Sequence, residues 1–135
     1  MNIVLWLLQV VLAVLCLAHG GFMVAPPAAM VEMMNAQLGA GFRIFIGVAE
    51  VLAAVGLILP GLTRILPWLT ALAAAGLMIV MSSATVLHLI RGEGASALTT
   101  AVLFVLVTVV TYMRWKVKPI APRQLRMSRA LVQSP

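Results

Sequence analysis

Acidic side chains are nearly missing: Glu32, Glu50 and Glu93 are the whole complement in 135 residues, and there is no aspartate. Charged residues of either sign make up 9% of the chain, whereas 64% is apolar, and the mean hydropathy is strongly positive. A soluble domain of this size buries too little surface to hide so much apolar side chain. The chain therefore reads as one domain whose solvent is mostly lipid. Cysteine is scarce too. Cys16 stands alone inside an apolar run, so an internal disulfide is impossible and there is no Cys-x-x-Cys relay. That excludes the quinone-coupled disulfide oxidoreductases, another group of small four-helix membrane proteins. No nucleic-acid-binding pattern is present, so nucleic acid is not an expected partner, and no motif names a catalysed reaction.

What the chain does have is four long apolar runs: Ile3 to Val24, Phe42 to Leu59, Pro67 to Ile90 and Ala97 to Met113. Each is near the roughly 17–25 residues that cross about 30 Å of hydrocarbon. The first run has no basic residue ahead of it and outlasts a signal-peptide core of roughly 7–15 residues, so it reads as a retained span. Pro60-Gly61 is expected to end the second helix, and Pro67 suits the first turn of the third. Arg91-Gly92-Glu93-Gly94 is a polar turn, and links this short force antiparallel neighbours. The fold class predicted is all-α: a four-helix transmembrane bundle of antiparallel, up-down topology. Residues 1–115 form the transmembrane domain, and residues 116–135 a basic, flexible cytoplasmic tail.

Orientation follows from lysine and arginine. Of nine basic residues, six come late: Arg114, Lys116, Lys118, Arg123, Arg126 and Arg129. With four spans these share a side with Arg64 and both termini, while Arg43 and Arg91 lie opposite. The sequence thus predicts a multi-pass protein of the plasma membrane with cytoplasmic N- and C-termini. Trp6, Trp68, Tyr112 and Trp115 all fall at that same interface, where amphipathic rings prefer to sit. A basic tail beside a span suits anionic lipid head groups, at about 1 kcal/mol per residue near the surface; it also serves simply to fix topology.

Between Ala25 and Gly41 the apolar residues Met30, Met33, Met34 and Leu38 recur at helical spacing after Pro26-Pro27. This predicts a short amphipathic helix in the first outer loop, closed by Gly39, with Glu32 and Asn35 facing away from the methionines.

Ionisable groups inside a span are costly, by about 2.5–3.5 kcal/mol at the centre, so each needs a reason. Arg43, Gly47, Glu50, Ala54 and Leu57 recur at steps of three to four and share one helix face. At 1.5 Å per residue, Glu50 lies roughly 12 Å below the outer edge. His19 is near the outer end of the first span and His88 near that of the third, with Thr85 and Arg91 beside it. The candidate polar cluster is therefore His19, Arg43, Glu50, Thr85, His88 and Arg91, all in the outer half. Its plainest account is structural, with Glu50 neutral or paired to Arg43 or a histidine. Its functional account is proton handling or ligand binding. Two histidines at matching depth also admit bis-histidine haem ligation, but a zinc or other metal site would want more converging ligands than the sequence guarantees, so no metal is expected. Gln9, Ser82 and Ser83 read as helix-to-helix hydrogen bonders, and the Gly- and Ala-rich second and third spans as tightly packed.

Arg43-x-x-x-Gly47-x-x-Glu50 followed by Gly56-Leu57 and Pro60 resembles the second helix of DoxX-like membrane proteins. Ala84-Thr85-Val86-Leu87-His88-Leu89-Ile90-Arg91-Gly92-Glu93 looks like the end of the third helix in that family, and the Pro67-Trp68 start fits too. The resemblance covers most of Phe42 to Thr99 and implies four spans. The family takes its name from a subunit associated with a thiosulfate:quinone oxidoreductase, and other relatives are linked to oxidative-stress complexes or act as membrane chaperones. It implies an accessory or scaffold subunit of a membrane complex, redox complexes among them, with no catalytic role transferred to Arg43, Glu50 or His88. The expected partners are the bilayer and a membrane protein or second copy. Two rivals stand beside this reading: a quinone- or haem-linked oxidoreductase subunit, and a proton-coupled transporter using Glu50.

Overall fold

In oil, a backbone amide can be satisfied only by its own helix or by a closed sheet. The four apolar runs take the first course. The computed structural model describes residues 2–123; Arg126 and Arg129 of the basic tail lie outside the described residues. Helix α1 spans Asn2–Val24, α2 Ala28–Leu38, α3 Ala40–Thr63, α4 Trp68–Ile90 and α5 Gly94–Tyr112, which runs on into a π-helical turn at Met113–Val117. Four of them (α1, α3, α4, and α5 with its π turn) are 23 or 24 residues long and apolar enough to cross a membrane, about 35 Å each at 1.5 Å per residue. Antiparallel α1, α3, α4 and α5 pack in that order, each on the next, and α1 meets α5 only narrowly. Large apolar side chains such as Ile3, Leu52, Ile79, Leu98 and Val105 point outward, as a bundle solvated by lipid requires.

α2 is the short helix between the first two spans that the methionine spacing predicts. It follows Pro26-Pro27 and closes at Gly39, whose φ of 76° lies where glycine is favoured. Met34 is buried, while Met33 remains exposed. One boundary differs from expectation. Pro60 does not end α3; the helix continues to Thr63, and Arg64 leaves it at φ 59°. A proline removes only the bond to the carbonyl four residues back, here Gly56, and membrane helices tolerate that loss. Thr63 then turns its hydroxyl onto the Leu59 carbonyl at 2.8 Å. Ser82 and Ser83 likewise bond the Ile79 carbonyl of their own helix, at 3.0 and 2.8 Å, rather than a neighbouring helix as their sequence suggests. A hydroxyl in an apolar helix finds its nearest acceptor one turn back.

The core is a stack of Leu12, Leu57, Leu77, Val107 and Val110, each at most 1% exposed, with Ala53, Ala54 and Ala74 between them. Small residues set how close the helices come. A Cβ on Gly20 would lie 2.7 Å from the carbonyl oxygen of Gly47, and one on Gly47 would lie 2.7 Å from that of Gly20. The α1 and α3 backbones thus touch at this crossing. Inward, Gly56 faces the methyl of Ala73 on α4, and Gly61 makes room for Trp6 and Ile120. Beyond the π turn the chain folds back over this end of the bundle, where the Arg123 N–H donates to the Arg64 carbonyl at 3.2 Å.

Gly47→Ala puts a methyl where only a backbone oxygen fits, and the helices must part. We expect it to destabilise the detergent-solubilised protein by about 1–3 kcal/mol, the usual cost of overpacking. Gly21→Ala, one residue from the crossing and facing open space, is expected to be neutral in the same thermal unfolding measurement. Equal midpoints for the two variants would refute the crossing.

Candidate functional site

Helix side chains tilt toward the N-terminus of their own helix. In antiparallel α1 and α3, His19, one residue before the Gly20 crossing, leans toward the start of α1, while Glu50, three residues past Gly47, leans back toward the crossing. The two converge. His19 Nδ1 and Glu50 Oε2 lie 2.6 Å apart. Glu50 is only 3% exposed, whereas the His19 side chain is 53% exposed. The carboxyl group is enclosed by protein, and the imidazole opens from it to the outside of the bundle. Cys16, one turn inward on α1, is buried.

Arg43 lies on the same face of α3 as Glu50, as the spacing predicts, but it serves another purpose. Its Nε donates to Asn35 Oδ1 of α2 at 2.9 Å, and its Nη1 donates to the carbonyls of Met23 and Val24. Those carbonyls close α1 and have no partner within their own helix. A guanidinium there satisfies them and complements the negative end of the helix dipole. The buried Arg43 thus ties three elements together, and the acid that sequence spacing would give it pairs with His19 instead.

The remaining candidates group around the end of α4. His88 Nδ1 lies 2.5 Å from Glu93 Oε2 across the α4–α5 turn. Arg91 Nη2 donates to the Gln37 carbonyl at the end of α2, 2.7 Å away, repeating the device of Arg43. Thr85 donates to Thr100 Oγ1 on α5 at 2.9 Å. The single cluster expected of these six residues is therefore divided: His19 with Glu50 at the α1–α3 seam, His88, Arg91 and Thr85 about the α4–α5 link, and Arg43 apart from both at the end of α1. The α1 and α4 backbones do not approach each other closely, which is what separates the histidines. Among the described residues, no three His, Cys, Asp or Glu side chains gather closely enough to hold a metal ion.

A further polar group lies at the opposite end and is not evident in the sequence as a site. Arg114, which its position assigns to the head-group region, is 4% exposed. It donates from Nε to Gln9 Oε1 at 2.6 Å and from Nη1 to Asn2 Oδ1 at 2.9 Å, and its guanidinium lies 5.3 Å from the centre of the Trp6 ring. Gln9 in turn donates to the Leu57 carbonyl at 2.7 Å, so it is the helix-to-helix bonder its position predicts. Arg114 turns inward because acceptors await it on α1. The one signal for it was a glutamine in an otherwise apolar run.

Four antiparallel spans, an acid and an arginine on one face of α3, and a histidine-bearing end to α4 are now in place. A family model described as DoxX-like matches residues 7–110, more than half of the chain. The chain belongs to the DoxX-like family. Searches of curated proteins and of solved structures found no match. The matched region takes in both polar groups of this DoxX-like protein, and together with its four apolar helices it makes the chain a multi-pass membrane protein.

Arg43→Leu leaves the Met23 and Val24 carbonyls and the Asn35 side chain without their donor. We expect it to lower unfolding free energy by about 1–3 kcal/mol, the cost of buried unsatisfied groups. Arg43→Lys should recover only part, since an ammonium holds its three donors on one nitrogen and cannot span acceptors that Arg43 reaches from two. Guanidinium or SDS unfolding in mild detergent measures both, and a native midpoint for Arg43→Leu would rule the role out.

Proposed function

We propose that this DoxX-like protein is an accessory subunit that receives a transmembrane helix of a membrane partner along its α1–α3 face. The observation that carries this is the half-exposed imidazole of His19 on a buried carboxyl group. One ring nitrogen is occupied by Glu50, and among the described residues the other has no acceptor or donor to meet it. In hydrocarbon such an edge favours a polar group from outside, because an unmet polar group there is expensive. On the same seam lies a shallow apolar groove of about 280 Å³, lined by Val10, Val14 and Leu17 of α1 and Ala54, Val55 and Ile58 of α3. The groove follows one side of the seam and the imidazole opens on the other side of α1, so the first offers an apolar packing surface and the second a separate polar anchor. A redox complex is the class of partner that fits the family's name, and a second copy of the chain is the other occupant the groove admits.

A second reading rests on the 2.6 Å contact itself. A buried carboxyl group joined to an imidazole that opens outward is a geometry for passing a proton, as a quinone-linked subunit or a proton-coupled transporter needs. Haem ligation would require His19 and His88 on one haem, whereas the two lie in separate polar groups with a packed core between them. An absorption spectrum of the purified protein separates that case, since a bis-histidine haem gives a Soret band. For orientation we propose that both termini lie in the cytoplasm, on the side rich in lysine and arginine. A C-terminal reporter that is active only in the cytoplasm should be active, and activity of a periplasmic reporter instead would invert the bundle.

A photo-crosslinking residue at Val14, in the groove, is expected to capture one discrete membrane protein in intact membranes. The same residue at Val105, on the lipid face of α5, is expected to capture lipid alone. With the photo-crosslinking residue at Leu15, exposed on the imidazole's own side of α1, His19→Leu should reduce capture about tenfold. Equal capture from Val14 and Val105 would defeat the accessory reading.

A further inference from the structure

The far side of the molecule carries a second groove, of about 360 Å³, between α4 and α5. This is within the roughly 300–1,000 Å³ of small-molecule sites. It is lined by Met78, Thr108, Thr111, Tyr112, Trp115 and Lys116. The hydroxyls of Thr108 and Thr111 are turned back onto the Phe104 and Val107 carbonyls of their own helix, at 2.7 and 2.9 Å. From Thr108 to Lys116 the groove follows eight residues of helix, roughly 12 Å of rise, close to the half-thickness of a hydrocarbon core of about 30 Å. It therefore starts near mid-membrane with Met78 and Thr108 and finishes at the aromatic belt, where Tyr112 and Trp115 are exposed.

The charge at its finish has one sign. The π turn sends Arg114 into the bundle and leaves Lys116 outside; a lysine there can lay its methylenes along the groove and hold its ammonium at the rim. Arg114, Lys116, Lys118, Arg64 and Arg123 all gather at this end, whereas Glu32 and Glu93 flank the outer ends of the helices and Glu50 pairs with His19 in the outer half. Arg114 makes no ion pair among the described residues and bonds only neutral acceptors. The chain thus leaves this positive field uncompensated, directly above an apolar track one leaflet deep.

We propose that the α4–α5 groove is a binding site for one anionic phospholipid, its acyl chain along Met78 and Thr108 and its phosphate at Lys116. This site is separate from the α1–α3 face and does not depend on the function proposed for it. The test uses the full chain carrying Trp6→Phe and Trp68→Phe, so that Trp115 is the sole indole, reconstituted into vesicles of brominated phosphatidylglycerol or brominated phosphatidylcholine mixed with unbrominated phosphatidylcholine. Bromine quenches the indole only where that lipid sits beside it. We expect phosphatidylglycerol to occupy the site about fivefold more readily than phosphatidylcholine, the ratio that one basic residue near a charged surface supplies. Lys116→Gln should bring the two lipids level, and Lys118→Gln should leave the preference in place. Equal quenching by the two lipids in the Lys116 protein would overturn the site. So would a preference that survives Lys116→Gln, or one that Lys118→Gln removes as fully, since that would mean a diffuse field.

Discussion

Two missing side chains govern the half of this bundle where α1 ends and α3 begins. Because Gly20 and Gly47 let the α1 and α3 backbones touch, His19 and Glu50 come within one hydrogen bond of each other. A methyl at either glycine would push the helices apart and strand a carboxyl group in oil. Lipid supplies no hydrophobic effect to press helices together, so association depends on close packing and on polar bonds made across it. Here the two are the same event: the crossing that gives van der Waals contact also brings the acid its partner. The pair then inherits an asymmetry from its helices. Glu50 faces the core and is enclosed, while His19 sits at the rim of the seam, so the one buried carboxyl group of the bundle communicates with the surroundings through an imidazole.

The three arginines of the helical region solve a related problem at the ends. Helices finish with carbonyls that nothing in their own turn can satisfy, and loops of a few residues offer little else. Arg43 covers the end of α1, Arg91 the end of α2, and Arg114 the side chains of Asn2 and Gln9 together with the backbone of Lys118. None of the three makes an ion pair among the described residues. With so few acids, the chain uses guanidinium groups as multiple donors to neutral oxygen, a task their fork of donors suits.

This division explains which features were legible in the sequence. Hydropathy and run length are properties of the chain itself, and they gave all four spans and the short methionine-bearing helix. The shared face of Arg43, Gly47, Glu50, Ala54 and Leu57 followed from helical period alone, and every one of those residues is buried. Partners were harder. Sequence reasoning looks for charge opposite charge, so it gathered Arg43 and His88 around Glu50; the actual acceptors of Arg43 are two backbone carbonyls and an asparagine, and a carbonyl leaves no mark in a sequence. Arg114 was misplaced for a similar reason, since the positive-inside rule counts basic residues by position and not by the direction they face. Pro60 was read as a stop because soluble helices seldom carry one so near their end, whereas α3 simply forgoes one bond and continues.

The same geometry bears on why a reaction motif is absent. Catalysis in a membrane bundle usually needs polar groups converging on an enclosed space, and here the two histidines belong to helices whose backbones do not approach each other closely. Each is instead committed to one carboxyl group close by, and the core between them is filled by Leu12, Leu57, Leu77 and Met81. Both of the grooves described open outward, one along α1–α3 and one along α4–α5. A bundle with a packed interior and its chemistry turned to its flanks is built to be met from the side. That accords with the accessory role proposed for it, in which the polar edge of His19 at one flank and the lysine rim at the other favour different neighbours in the bilayer.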